Sequence, residues 1–328
     1  MSTSALHHRP RTILIATFVI AIGALIVYLV VSILLYIRLA SVQAFCAGEY
    51  ANNTPANFNA DPFSPALDTR PYWMPTYEDV RFQSDVMLSG WYVPAADPNA
   101  PAVIVVHGLG AGAADCKRNP RALMIAGMLH RAGFHTFLID LRQHGDSTVT
   151  TGLWSGNTHE HRDVIAAYQW LIDEKGIAPD RVGVAGYSGG TGAALIAMSE
   201  EPRIAAAWLD SVYTDIPSTI EAVLEQAGIP GWFATGGFFI ARITGNDLTA
   251  YNPINAAVNI NGRPIFITHS DADPFLSPAY ADQMLAALRE HGNDPGFWQI
   301  HSDTHVRAMF DQTAEYERRL VEFFTAAL

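Results

Sequence analysis

The segment Arg181-Val182-Gly183-Val184-Ala185-Gly186-Tyr187-Ser188-Gly189-Gly190 constrains the fold of this chain more than any other. An apolar run of strand length ends in a serine with a glycine two residues to either side, and the small-residue stretch Thr191-Gly192-Ala193-Ala194-Leu195 follows. That pattern turns a buried strand sharply into a helix and presents the serine at the turn, with Gly186 and Gly190 giving the room the turn requires. A serine hydroxyl is a weak nucleophile unless a base reaches it. The elbow therefore predicts two more residues, an acid and a histidine, on loops that leave later strands.

Both are present in the order acid, then histidine. Pro264-Ile265-Phe266-Ile267-Thr268-His269-Ser270-Asp271-Ala272-Asp273-Pro274 reads as a buried parallel strand ending in acidic residues, and Asp273 is the expected orienter of the base. Gly296-Phe297-Trp298-Gln299-Ile300-His301-Ser302-Asp303-Thr304-His305-Val306 reads as a last strand and its exit loop, with His305 as the expected base. Asp271 and Asp210, the latter in Trp208-Leu209-Asp210-Ser211, compete for the acid's role; spacing from the strand and the following Pro274 favour Asp273. His301 falls inside or beside the strand, too early to reach over the serine, and His107 reads as a structural residue.

With the elbow stand His107-Gly108-Leu109-Gly110 after one strand and Asp140-Leu141-Arg142-Gln143-His144-Gly145-Asp146-Ser147 after the next. Taken with Asp273-Pro274 and the late His305, the region from Tyr77 to Leu328 resembles the α/β-hydrolase superfamily, and within it serine hydrolases of the esterase and acyl-peptidase type. The resemblance implies a mostly parallel central sheet with helices on both faces and a helical cap insertion. It also implies an oxyanion hole formed by the backbone N–H groups of Leu109 and Gly189, and no cofactor. Two positions depart from the family pattern: Ser270 stands where a glycine is usual before the acid, and Gln143 stands where the loop after the second strand has its first glycine.

The rest of the body follows a strand–helix alternation. Residues 77–84 and 86–94 alternate as an antiparallel hairpin, and buried strands are expected near 102–106, 135–139, 182–185, 204–209, 265–268 and 297–300. Residues 214–263 form too long a connection for this rhythm and read as the cap. Trp232, Phe233, Phe238, Phe239 and Ile240 would give it an apolar underside suited to an acyl chain or aromatic group, with ordinary core packing or contact with a bilayer as competing uses. Thr158-His159-Glu160-His161-Arg162-Asp163 crowds metal-ligand types together, but two histidines two residues apart diverge on a helix. It reads as a helix start capped by Thr158, and no metal is expected. The glycine-rich stretches match no nucleotide-binding pattern.

At the N-terminus, residues 1–12 flank an uncharged run of 25 residues, Ile13 to Ile37, long enough to cross about 30 Å of hydrocarbon and too long for a cleaved signal. It reads as a transmembrane signal anchor. His7, His8, Arg9 and Arg11 precede it, while Arg38 is the last Lys or Arg before Arg70, which puts the N-terminus in the cytoplasm and the body outside. Residues 47–73, rich in Asn, Pro and Ala, read as an extended stalk. Asn52-Asn53-Thr54 is a glycosylation sequon followed by Pro55, and Cys46 and Cys116 permit a disulfide in an oxidising compartment. A net charge of −12 argues against nucleic acid as a partner. The expected activity is cleavage of a carboxylic ester on a small-molecule or acyl substrate, with peptidase and acyltransferase chemistry open on the same residues. A membrane-tethered binding protein without catalysis is the reading from another class.

Overall fold

The computed structural model describes residues 9–42, 50–60, 62–108 and 115–328. In chain order the elements are α1 (Arg9–Ala40), β1 (Glu78–Gln83), β2 (Met87–Val93), β3 (Ala102–Val106), α2 (Pro120–Arg131), β4 (His135–Asp140), α3 (Glu160–Lys175), β5 (Val182–Tyr187), α4 (Gly189–Glu200) and β6 (Ala206–Asp210). Then come α5 (Ile216–Gln226), α6 (Phe233–Ile243), α7 (Pro253–Ala256), β7 (Ile265–Ser270), α8 (Ala279–Glu290), β8 (Gly296–Ile300), α9 (Ala308–Asp311) and α10 (Thr313–Ala327). The strands form one sheet in the order β1-β2-β4-β3-β5-β6-β7-β8. The β1–β2 and β2–β4 pairs are antiparallel and all later pairs parallel. This is the α/β-hydrolase arrangement, and every strand expected from the sequence is present with its ends moved by no more than two residues.

The central strands are buried on both faces, which is why they read as unbroken apolar runs. Their side chains alternate between two cores. Ile104 and Val106 join Val164, Leu171, Met284 and Leu288 on the face covered by α3, α4 and α8. Val103 and Val105 join Leu123, Met128, Leu320 and Phe324 on the face covered by α2 and α10. The switch between the two sets at each successive residue is the period-2 pleat.

Two expectations change outside the sheet. The segment read as an extended stalk lies against the body: Phe58 and Tyr72 are buried in the second core, and Asn53 donates to the Arg118 carbonyl at 3.1 Å. Its aromatic side chains have apolar surface to bury, and that outweighs a composition rich in turn formers. Thr158 does not cap α3 either; His159 holds the N-cap position and the Thr158 hydroxyl donates to the Asp247 carbonyl at 2.9 Å.

The long N-terminal helix is fixed to the body rather than standing clear of it. Past its end, Val42 N–H donates to Gly152 O at 3.0 Å, and Trp154 N–H donates to Ala40 O at 2.8 Å. Its last turns pack on α6, and Tyr36 and Ala40 are buried with Tyr213, Ile216, Ala241 and Leu248. Between Thr12 and Ala40 the helix holds an 18-residue stretch with a mean hydropathy of 3.0, and it is the one helix among the described residues long and apolar enough to cross a membrane.

Candidate active site

Ser188 sits between β5 and α4 with φ 51° and ψ −129°, a conformation that L-residues rarely adopt. The strain is held by its surroundings. Ser188 N–H donates to Asp210 O on β6 at 2.8 Å, and α4 starts at once with Thr191 N–H on Ser188 O. A Cβ on Gly186 would come within 2.7 Å of Gly190 O, and one on Gly190 within 2.7 Å of Val106 O, so neither elbow position has room for a side chain.

His305 arrives on the loop after β8. Its Nδ1–H donates to Asp273 Oδ2 at 2.7 Å, and its Nε2 lies 2.9 Å from Ser188 Oγ. Asp273 sits on the loop after β7 with its side chain fully buried, and its other oxygen accepts from the Phe275 and Leu276 N–H groups at 2.9 Å each. Burial raises this carboxyl's pKa, but the His305 hydrogen bond and charge, with those backbone donors, bring it below the usual value. The three residues singled out in the sequence thus form one hydrogen-bonded chain from strands β5, β7 and β8.

The competing residues lie elsewhere. Asp271 pairs with His301 at 2.6 Å, and the His301 side chain is 86% exposed. Asp210 is buried beneath the elbow, accepts from Tyr316 Oη at 3.0 Å, and has its pKa raised to about 6 by burial. His107 is fully buried; it accepts from Leu141 N–H at 3.1 Å through Nε2 and donates to Gly108 O at 2.6 Å through Nδ1. Desolvation lowers its pKa to about 4, so it stays neutral. Gly189, the first residue of α4, lines the cavity beside Ser188, while Leu109, the other expected oxyanion donor, lies outside the described residues.

Gln143 explains one departure from the family pattern. Its φ is 68°, the left-handed region that a glycine there would serve, and its side-chain oxygen accepts from the N–H groups of Thr150 at 2.8 Å, Thr151 at 3.2 Å and Gly152 at 3.1 Å. The glutamine clamps the loop that α1 pairs with. His161 is buried, contacts Asn157 O and Glu200, and stacks on Tyr251, whereas His159 is only half-buried. Among the described residues no group of three potential ligands is placed to hold a metal.

Sequence reasoning missed three features. Val306, directly after His305, is buried at φ 50°, rare for a β-branched residue, and its carbonyl accepts from Arg121 Nε at 2.9 Å; the strained joint and its guanidinium clamp fix where His305 points. Second, the cavity of about 110 Å³ beside Ser188 is lined by Ile216, Thr219, Ile220 and Val223 of α5, by Tyr213, Trp154 and Leu276, and by Leu39 of the N-terminal helix. The α6 aromatics expected on the cap's underside are not among them. Trp232 and Phe239 are 58% and 57% exposed, because α6 turns its inner side to α1. Third, Lys117 is fully buried between Asp140 at 2.5 Å and Asp146 at 2.7 Å, bracing the end of β4 against the segment after the His107 strand. No local pattern announces any of these contacts.

The sequence profile of the prolyl oligopeptidase family matches residues 152–328, more than half of the chain and the part that carries Ser188, Asp273 and His305. The chain belongs to the prolyl oligopeptidase family. It is a serine hydrolase of the class that spans prolyl oligopeptidases and esterases. An esterase from Pyrococcus furiosus shares the fold with a TM-score of 0.64 at 19% identity, over 88% of this chain and 98% of that one. An α/β hydrolase from a Penicillium species aligns with a TM-score of 0.59 at 18% identity, over 77% of this chain and 99% of its own. The acylaminoacyl peptidase of Pyrococcus horikoshii aligns at 0.57 and 15% identity; the shared region is 77% of this chain and 41% of that larger protein. No curated protein sequence matches the chain. At these identities the structural likenesses speak for the fold.

Proposed function

We propose that the protein hydrolyses carboxylic esters through Ser188, His305 and Asp273. The observation that carries this reading is the continuous chain Ser188 Oγ to His305 Nε2 at 2.9 Å and His305 Nδ1 to the buried Asp273 at 2.7 Å. His305 takes the Ser188 proton as Oγ bonds to the acyl carbon, then delivers it to the alkoxide as the ester C–O bond breaks. Water attacks the acyl-enzyme next, giving up its proton through His305 and releasing the acid and free Ser188. The N–H groups of Gly189 and Leu109 serve as oxyanion donors, each worth about 2.7–4 kcal/mol in transition-state binding. Ester rather than peptide cleavage fits a cavity whose lining, among the described residues, contains no charged side chain to hold a peptide terminus.

A peptidase is the second reading, favoured by the family match itself and by the acylaminoacyl peptidase among the structural neighbours. Turnover of p-nitrophenyl esters against an aminoacyl p-nitroanilide, with an alcohol present as acceptor, separates the possibilities. Ester hydrolysis should dominate; faster amide cleavage assigns a peptidase, and transfer to the alcohol in preference to water assigns an acyltransferase.

The same proposal places α1 across a membrane with the body on the extracytoplasmic side. Two observations support it: the uncharged run Ile13 to Ile37, and the disulfide-bonded state of Cys116, which suits an oxidising compartment. Cys46, the other cysteine of the sequence, lies outside the described residues. Protease added to intact cells should digest the body and spare a tag ahead of Arg9; protection of the body reverses the orientation.

A further inference from the structure

The N-terminal helix does more than reach a membrane: it forms a wall of the cavity at Ser188. Leu39 and Ile220 line that cavity and also line a second, smaller void of about 10 Å³ whose other walls include Leu35, Leu224, Phe233 and Phe238. An apolar seam therefore runs from Ser188 outward between α1 and the cap helices α5 and α6.

Contacts along α1 and α6 advance in step. Tyr28 stacks on Trp232 with ring centroids 5.4 Å apart, a Cβ on Gly236 would meet Ser32 Cβ at 2.8 Å, and Tyr36 Oη accepts from Asn246 at 3.0 Å just past α6. The helices thus run parallel, and the offset that matches Tyr28 to Trp232 matches Arg38 to Arg242. Both lose their apolar character at the same level. The outer side of α6 carries Phe239 and Ile243, which are 57% and 62% exposed, and Trp232 just ahead of the helix is 58% exposed while stacked on α1.

About 20 residues of helix cross the hydrocarbon. Counted from Ile13, the crossing ends near Ser32, so Tyr28 and Trp232 lie close to the outer boundary, where amphipathic rings are favoured. Glu225, beside Gly231 at the start of α6, keeps that end of the cap at the headgroups rather than deeper.

Resting on the reading of Ser188 as an ester-cleaving nucleophile and of α1 as a membrane span, we propose that the substrate is a long-chain ester dissolved in the bilayer. Its acyl chain reaches Ser188 along the seam between α1 and the cap. The bond changes are those of ester hydrolysis above, with a fatty acid and an alcohol as products.

The test uses the full-length protein in phosphatidylcholine vesicles with two esters, p-nitrophenyl palmitate dissolved in the bilayer and p-nitrophenyl acetate in the water. Wild-type kcat/KM for the palmitate should exceed that for the acetate at least tenfold. Trp232→Glu, at the boundary and outside both cavity linings, should cut palmitate turnover at least tenfold and leave acetate turnover within twofold. Thr235→Glu, exposed and at the level of Val31, repeats the measurement should the first variant fail to fold, which loss of fluorophosphonate labelling at Ser188 would reveal. Acetate turnover without preference for palmitate, or palmitate turnover unmoved by both variants, overturns bilayer entry and leaves the hydrolase reading standing. Turnover of neither ester, with no labelling of Ser188, overturns the hydrolase reading and this inference with it.

Discussion

Two histidine–aspartate pairs join the loops after β7 and β8, and at the level of the bond itself they are alike: 2.6 Å for His301–Asp271 and 2.7 Å for His305–Asp273. Both carboxyls are held below their usual pKa, Asp271 mainly by its His301 hydrogen bond, Asp273 against the opposing effect of burial. What separates them is surroundings. The His301 side chain is 86% exposed and meets solvent, whereas His305 is 17% exposed and its far nitrogen meets Ser188. An exposed histidine–aspartate pair contributes little to anything, because water competes for both partners. A buried one fixes the tautomer and direction of the imidazole, which is what a base over a serine requires.

Breaking the buried pair's line to the serine should have the largest effect. Ser188→Ala and His305→Ala should each lower ester kcat/KM by about 10⁶, the scale on which members of such a unit fail singly. Asp273→Asn should cost about 10⁴ in kcat, since the amide favours the wrong tautomer. A loss below tenfold in steady-state assays would mean that the pair does not orient the base.

Asp210 tests burial without reach. With a folded pKa of about 6 against an ordinary 3.8, this acid holds its proton more tightly in the native state. Its contribution to stability is full below pH 3.8 and is lost as pH rises through 6. Asp210→Asn should therefore gain on the wild type between pH 4 and pH 8 by about 2 kcal/mol, from 1.36 kcal/mol per pKa unit less the part already lost at pH 4, read by denaturant unfolding. A pH-independent difference would remove the premise that burial governs this carboxyl. The smallest effect belongs to the exposed pair: His301→Gln should leave kcat/KM within twofold.

The elbow, the acid and the base were legible because each is a local pattern at a strand end, and burial on both faces marked the parallel strands as apolar runs. The sequence did not separate cap from anchor. Trp232 and Phe239 fit an acyl pocket, core packing or bilayer contact alike in a one-dimensional reading, and only the match of Gly236 and Gly237 to Ser32 and Tyr36, some 200 positions apart, shows that α6 faces α1. Leu39 at the serine's cavity was hidden for the same reason, and the buried Phe58 and Tyr72 were lost in a segment whose Asn and Pro content signals a linker. Gln143 looked like a departure from pattern until its left-handed backbone showed that it occupies the glycine's place in conformation as well as in sequence.

The claim that the buried pair activates Ser188 is met most directly by the rate of inactivation with a fluorophosphonate probe, compared between Asp273→Asn and Asp271→Asn under one set of conditions. The probe reports the reactivity of the serine without requiring the natural substrate. Inactivation should slow about a thousandfold or more in Asp273→Asn, with Asp271→Asn within twofold of the wild type and no labelling of Ser188→Ala. Equal rates in the two aspartate variants, or a larger fall in Asp271→Asn, would contradict it.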